Sequence, residues 1–96
     1  MDSVPGHKII YLQHLAGSRK GQIDSFESDQ VRIGRQADND LRFDPKIERT
    51  VSGYHAEIYR QGDALWIKDL QSKNGTFVNG RQIAEPVPIA SGDTIQ

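Results

Sequence analysis

Glycine and proline interrupt this chain so often that little room is left for helices. Nine glycines and four prolines are spread over 96 residues, and the longest stretches without either hold 12 residues, at 22–33 and 63–74. Both residue types are poorly tolerated inside a helix. Short β-prone runs with turn signals roughly every eight to twelve residues instead predict an all-β protein, either a sandwich or a barrel.

The length of the chain predicts a single domain over residues 1–96, in which residues 1–6 form a loose lead-in. Leu, Ile, Val and Phe together number 23, which is more than is typical of disordered chains. Alternation of apolar and polar residues between the turn signals indicates the individual strands. The predicted strands are 8–12, 22–26, 30–34, 41–43, 55–59, 64–70 and 76–78, and a further strand begins at 94–96. Residues 81–83 and the proline-interrupted stretch 85–89 carry no strand assignment.

Composition excludes or disfavours several kinds of site. A net charge of −1 argues against a protein built to hold nucleic acid, which is usually clearly basic. The absence of cysteine excludes disulfides and cysteine-ligated zinc. The three histidines are scattered, and the aspartates between residues 38 and 44 lack the glycine of a calcium loop. We therefore expect neither a metal nor another cofactor.

The same features bear on location. No run approaches the ~18 apolar residues of a membrane span, and the N-terminus does not have the shape of a signal peptide. A cysteine-free chain is compatible with a reducing compartment. We expect a cytoplasmic protein with no direct membrane insertion.

The segment 69–80 carries the most distinctive local pattern. Two Asn-Gly pairs, which favour tight turns, flank the short β-prone run 76–78. The first loop displays the hydroxyl of Ser72, the ammonium of Lys73 and the amide of Asn74 side by side. These groups suit an anion or the backbone of an extended peptide. Alternatively, Ser72 and Asn74 satisfy only local backbone groups, as Ser and Asn do in most turns.

Catalysis is not predicted, although the residue types of a hydrolase triad are present. Ser52, His55 and Asp69 supply them. However, Ser52 and His55 lie three residues apart around a glycine on a turn, and neither a nucleophile elbow nor a phosphate-cradling glycine loop is found.

An ordered set of short motifs resembles the forkhead-associated (FHA) domain. The match runs over residues 30–96, and the earlier residues fit only by their strand pattern. The motifs are Gly34-Arg35, Asn39-Asp40-Leu41, Ser52 with His55-Ala56, Asp69-Leu70, Ser72-x-Asn74-Gly75-Thr76-Phe77-Val78-Asn79-Gly80 and Gly92-Asp93-Thr94-Ile95. The resemblance implies an eleven-stranded β-sandwich of two mainly antiparallel sheets, whose end loops bind phosphothreonine peptides.

The resemblance also implies roles for individual side chains. Arg35, Ser52 and Lys73 match positions that hold the phosphate, and Asn74 matches the residue that grips the peptide backbone. A guanidinium is well suited to phosphate oxygens, with which it forms charge-assisted bonds. In the family, a small pocket for the γ-methyl group favours threonine over serine. Variable loops read the residues after the phosphothreonine, particularly the third.

The remaining motif residues are assigned structural roles. The residue that matches His55 braces the binding loops in the family, and we expect Asp69 to bind backbone N–H groups. We expect Gly34 to let its strand end sharply beside the ligand. The structural residues are Gly34, His55, Asp69, Gly75, Asn79 and Gly80.

Two departures from the family pattern leave questions open. Many family members carry arginine at the position of Gly53, so one cationic contact is lost here and the loop is expected to be looser. The neighbouring Tyr54 could contact peptide or simply pack, and both Gly53 and Tyr54 remain candidates for loop contacts. The chain also stops at Gln96, where the family continues into a final strand.

A missing final strand would leave sheet edges exposed, and from this follows the hypothesis of a strand-swapped dimer. The resemblance implies the N-terminal regulatory domain of a larger protein, whose partner is a threonine-phosphorylated protein or peptide. The alternative is a module on the same fold that binds its partners independently of phosphate.

Overall fold

The computed structural model describes residues 9–15, 19–44 and 51–96. That part of the chain contains nine strands and no helix, which confirms the all-β prediction. No helix in it could span a membrane. The strands are β1 Ile10–Gln13, β2 Ile23–Phe26, β3 Gln30–Gly34, β4 Leu41–Arg42, β5 Ala56–Gln61, β6 Ala64–Asp69, β7 Phe77–Val78, β8 Arg81–Gln82 and β9 Val87–Ile89.

One layer of the sandwich is a five-stranded sheet with the order β4-β3-β5-β6-β9. The β3–β4 pair is parallel, and the other neighbours are antiparallel. Val31, Ile58, Ile67 and Val87 are directly opposite one another across four adjacent strands. Because facing residues in a sheet share a face, this row forms an apolar band. Val31, Ile58 and Ile67 are completely buried.

The second layer consists of two antiparallel ribbons, the N-terminal ribbon β1–β2 and the C-terminal ribbon β7–β8. Ile10 of β1 is buried within the core of the five-stranded sheet, and Phe26 of β2 and Val78 of β7 pack against that core. The apolar residues of both layers therefore meet in one core, as expected for a sandwich.

Several strand predictions were displaced at their ends. The first strand was predicted as a buried one, but only one face of it is covered: Ile10 is buried, whereas Tyr11 is 66% exposed. The three-residue turn predicted at 61–63 is a two-residue turn, because Gln61 still pairs with Ala64. The predicted lead-in 1–6, Lys8, part of the loop 17–21 and most of the connection 44–53 lie outside the described residues.

Two later segments follow the predicted turn chemistry. Asn79 and Gly80 have φ angles of 52° and 83° and join β7 to β8, which is the two-residue geometry that Asn-Gly favours. Pro88 lies within β9 at the edge of the sheet, where a missing backbone N–H costs no ladder bond. The segment 94–96 pairs with β7 through one bridge, Val78 to Ile95.

Truncating the centre of the apolar band should destabilise the whole domain. Ile58→Ala removes a completely buried side chain, so we expect the free energy of unfolding to fall by about 2–5 kcal/mol. Urea denaturation measures this. The control Tyr11→Ala changes a largely exposed side chain and should cost less than about 1 kcal/mol. Equal losses in the two variants would show that the core does not lie where this architecture puts it.

Candidate functional site

Strand direction brings three loops to one end of the five-stranded sheet. Because β5 is antiparallel to both β3 and β6, the end of β3, the start of β5 and the end of β6 lie at the same edge. Ile33 faces Ala56, which in turn faces Asp69. The loops continuing from these positions are the 35–40 loop, the 51–55 loop and the 70–76 loop.

Backbone hydrogen bonds join the first two loops. The N–H of Arg35 donates to the carbonyl of Ser52 at 3.0 Å, and the N–H of Gln36 donates to the carbonyl of Gly53 at 3.1 Å. One step further into the sheet, His55 N–H donates to the carbonyl of Ile33 at 2.8 Å. Arg35 and Ser52, predicted as phosphate-binding residues, are therefore neighbours in space.

The third loop joins through the hydroxyl of Ser52. Its Oγ accepts a hydrogen bond from the backbone N–H of Lys73 at 2.9 Å. A hydroxyl that accepts one bond can still donate its own proton to another acceptor. The side chain of Arg35 is partly buried, and its Nε is buried without a hydrogen-bond partner among the described residues. Lys73 and Asn74 are exposed beside it on the 70–76 loop.

The buried imidazole of His55 connects two of these loops. Its Nδ1 accepts the N–H of Ser52 at 3.1 Å, and its Nε2 lies 2.9 Å from the carbonyl oxygen of Gly75. A carbonyl can only accept, so Nε2 carries the hydrogen and the ring is the Nε2–H tautomer. His55 therefore fixes the 51–55 loop against the 70–76 loop through backbone atoms.

Asp69 organises the 70–76 loop from within. One carboxylate oxygen accepts the backbone N–H of Ser72 at 3.0 Å, and the other accepts the hydroxyls of Ser72 and of Thr76, the latter at 2.7 Å. Burial alone would raise the pKa of Asp69, but the hydrogen bonds from Ser72 and Thr76 outweigh it and hold the pKa below its ordinary value of 3.8. The Ser72 hydroxyl thus braces its own loop.

Glycine is required at two positions of the motif for different steric reasons. A Cβ on Gly34 would lie 2.2 Å from the carbonyl oxygen of Gly53, so the close approach of two backbones requires glycine there. Gly75 has a φ of 84°, and a Cβ would lie 2.5 Å from Nε2 of Gln82.

The loop-contact candidates Gly53 and Tyr54 lie against the 35–40 loop. The Gly53 carbonyl accepts the hydrogen bond from Gln36 described above. The hydroxyl of Tyr54 donates to both carboxylate oxygens of Asp38, at 2.9 and 3.0 Å, and this bond raises the pKa of Tyr54. Its side chain is therefore held at the rim, with 43% of the residue still exposed.

Asn79 and Gly80 occupy the other Asn-Gly turn and bond different partners. The Asn79 amide donates to Asp93 at 3.1 Å and accepts the N–H of Thr94 at 2.9 Å. These contacts secure the segment 93–94 against the C-terminal ribbon and do not involve the three loops.

Sequence reasoning assigned no role to several residues that shape the site. Asn39 is 8% exposed and is bonded within the first two loops. The Nε of Arg42 donates to the Arg35 carbonyl at 2.9 Å, and Gln71 has a left-handed φ of 59°. Asn39 belongs to a quoted motif and could have been singled out there, whereas nothing in the sequence marks Arg42 or Gln71.

The assembled groups have the chemistry to bind an anion carried on an extended chain. It contains a guanidinium, an ammonium, a hydroxyl and an exposed amide from loops whose backbones are fixed by buried polar side chains. Within residues 9–15, 19–44 and 51–96, no group of three or more His, Asp or Glu could hold a metal ion. The arrangement is that of a β-sandwich binding module.

Comparison with known proteins gives the family. The family model of the FHA domain matches residues 31–96, and the chain therefore belongs to the FHA domain family. The oxoglutarate dehydrogenase inhibitor of Corynebacterium jeikeium is 35% identical over 80 residues, which cover 83% of this chain and 53% of that protein. The glycogen accumulation regulator GarA of Mycolicibacterium smegmatis is 38% identical over 80 residues, covering 83% of this chain and 48% of GarA. The chain spans about half the length of these relatives.

Solved structures agree with the family assignment. EmbR of Mycobacterium tuberculosis, in complex with a low-affinity phosphopeptide, superimposes with a TM-score of 0.77 at 34% identity, covering 90% of this chain and 21% of that one. An FHA domain from a study of phosphothreonine-dependent interactions gives 0.76 at 32% identity, covering 92% and 84% of the two chains. The predicted β-sandwich of the FHA type is confirmed.

The lowered pKa of Asp69 predicts acid sensitivity of the 70–76 loop. A carboxylate with a lowered pKa in the folded state stabilises the fold above its unfolded pKa, and this contribution is lost as the pH falls below about 4. Asp69→Asn should lower the free energy of unfolding by about 1–3 kcal/mol at pH 7. The difference from the parent should shrink below pH 4. Urea denaturation between pH 3 and 7 measures it, with Asp63→Asn as a control; a constant difference would contradict the role of the Asp69 charge.

Proposed function

We propose that this FHA domain binds protein segments phosphorylated on threonine. The observation that carries the proposal is the convergence of three loops, in which Arg35 N–H bonds the Ser52 carbonyl and Lys73 N–H bonds the Ser52 hydroxyl. The backbones of Arg35 and Lys73, whose side chains carry a guanidinium and an ammonium, therefore both lie beside Ser52 and its hydroxyl. A phosphate has the charge and the acceptor oxygens to use all three.

The chemistry assigns a role to each side chain. Arg35 supplies a forked cationic donor, Ser52 donates its hydroxyl proton while accepting from Lys73 N–H, and the Lys73 ammonium adds charge. Asn74 offers both a donor and an acceptor to the backbone of the peptide. Arg42 lies behind Arg35 and adds positive charge to the same end of the sheet.

The relatives support this proposal. EmbR was solved in complex with a low-affinity phosphopeptide, and the part of EmbR that matches this chain is 34% identical to it. A second FHA domain, 32% identical, comes from work on phosphothreonine-dependent interactions. Both superimpose over nine-tenths of the chain.

We further propose that the domain is a regulatory part of a larger cytoplasmic protein. Its relatives are named as an inhibitor and as a regulator, and the chain matches only about half of each. Another FHA domain, FhaA at 32% identity, was solved with the intracellular domain of its partner Rv3910. A regulatory module needs no chemistry of its own, and we expect no catalytic activity from this one.

A phosphopeptide array tests the central proposal. The domain should bind phosphothreonine peptides, and Arg35→Ala should weaken the tightest of them by at least about 100-fold, since each charged hydrogen bond is worth roughly 1.5–3 kcal/mol. Binding should also weaken with added salt. Isothermal titration calorimetry gives the affinities.

The matched control is Arg60→Ala, which removes the same charge from the far end of β5, where Arg60 pairs with Asp29. It should bind like the parent. Equal binding of a phosphorylated peptide and its unphosphorylated copy would refute the proposal and support the phosphate-independent module.

The two ribbons also lead us to propose a strand-swapped dimer for residues 1–96. A groove of about 1380 Å³ is lined by residues 9–15, which include β1, by Phe77 and Gly80 of the C-terminal ribbon, and by residues 89–96. Its apolar lining includes Ile33, Ile58 and Leu65. Among the described strands, β1 pairs only with β2, so its second edge can accept a strand from another copy.

Light scattering coupled to size-exclusion chromatography tests the dimer. The mass should rise from that of the 10.8 kDa monomer to twice that value with increasing concentration. Tyr11→Pro removes a backbone N–H from β1 and should weaken the association. A monomer mass at every concentration would refute this proposal without affecting the phosphothreonine site.

A further inference from the structure

A buried side chain joins the 35–40 loop, which carries Arg35, to the 51–55 loop, which carries Ser52. The side chain of Asn39, which is 8% exposed, lies at the base of the 35–40 loop. Its Nδ2 donates one hydrogen bond to the Gln36 carbonyl at 2.9 Å and one to the Gly53 carbonyl at 2.8 Å. Both partners are carbonyl oxygens, so the orientation of the amide is fixed by its contacts.

These two bonds cross from one binding loop to the other. Gln36 follows Arg35 directly, and Gly53 follows Ser52 directly. The Gly53 carbonyl therefore receives two donors from the 35–40 loop, the Gln36 N–H and the Asn39 amide. The Asn39 backbone N–H donates to Gln36 as well, at 3.1 Å.

The atoms are closely packed where Gly34, Asn39 and Gly53 meet. A Cβ on Gly34 would lie 2.2 Å from the Gly53 carbonyl oxygen and 2.8 Å from Asn39 Nδ2. The backbone that precedes Arg35 is thus in direct contact with both ends of the Asn39–Gly53 hydrogen bond. We expect a change at Asn39 to alter the spacing between Arg35 and Ser52, because close-packed groups do not move independently.

The guanidinium of Arg35 makes this spacing important. Its Nε is buried and has no hydrogen-bond partner among the described residues, so no such bond at Nε fixes the direction of the side chain. The position of the backbone from which it starts therefore contributes to that direction. Joint binding of a phosphate by Arg35 and Ser52 requires the two loops to stay in register.

We propose that Asn39 is a positioning residue for phosphothreonine binding. Through the Gly53 carbonyl it fixes Arg35 relative to Ser52, so that both side chains reach one phosphate. It does not touch the ligand. This inference rests on the proposed phosphothreonine function.

The test measures how strongly Ser52 contributes to binding with and without Asn39. The probe is the tightest phosphothreonine peptide from the array, titrated by calorimetry, whose stoichiometry reports the folded, competent fraction. Asn39→Ala should weaken binding about 5–20-fold per competent molecule. Ser52→Ala should weaken the parent about 10-fold but the Asn39→Ala protein only about 2–3-fold, because the hydroxyl no longer meets the phosphate together with Arg35.

A purely structural role would give a different result. If Asn39 only stabilised the fold, its loss would lower the competent fraction and leave the 10-fold effect of Ser52→Ala unchanged. Asn79→Gly is the matched control: it also removes an amide with two hydrogen bonds, and glycine tolerates the φ of 52°. It should lower stability and leave the Ser52 effect at its parent value.

Asn39→Ser retains one donor and is the second variant, in case Asn39→Ala does not fold. Asn39→Ser should weaken peptide binding and reduce the effect of Ser52→Ala, but both changes should be smaller than in Asn39→Ala. An unchanged Ser52 effect in either Asn39 variant would overturn the assignment. A parent protein that does not bind the peptide would instead refute the proposed function itself.

Discussion

The imidazole of His55 between the Ser52 N–H and the Gly75 carbonyl is the contact on which the binding end of this domain depends. Loops are the least constrained parts of a sandwich, because no ladder of backbone bonds holds them. A rigid ring with a donor on one side and an acceptor on the other fixes two of them at once. The sheet brings the loops to one edge, and His55 sets their spacing there.

Buried polar side chains and cationic side chains have different roles at this end of the molecule. His55, Asp69 and Asn39 satisfy backbone groups and hydroxyls inside the loops. Lys73 is exposed, and Nε of Arg35 has no hydrogen-bond partner among the described residues. Hydrogen bonds of this kind make the loops rigid, although Oδ1 of Asn39 is buried without a hydrogen-bond partner among the described residues. The negative charge of Asp69 is stabilised by hydrogen bonds within its own loop, which hold its pKa below the ordinary value.

Sequence reasoning could predict most of the fold, because strand alternation and turn chemistry are local. The apolar band and the Asn79–Gly80 turn follow from residue type alone. The motif marks Asn39 as a residue, but its role could not be predicted, because its partners on Gln36 and Gly53 are backbone carbonyls that no sequence pattern displays. The strand ends at Gly34, as predicted, but the approach of the Gly53 carbonyl, a tertiary contact that requires glycine there, could not be seen in the sequence. The exposed face of β1 was missed because its second residue, Tyr11, was read as part of an apolar run.

The central claim is that three loops act as one phosphate-binding surface. A backbone-amide NMR titration with a phosphothreonine peptide and its unphosphorylated copy tests it most directly. The account predicts that the phosphorylated peptide alone shifts the amides of Arg35, Ser52 and Lys73 together, with one common affinity. Shifts that appear with both peptides, or that fall on β1 and residues 89–96 while these three amides stay unchanged, would contradict it.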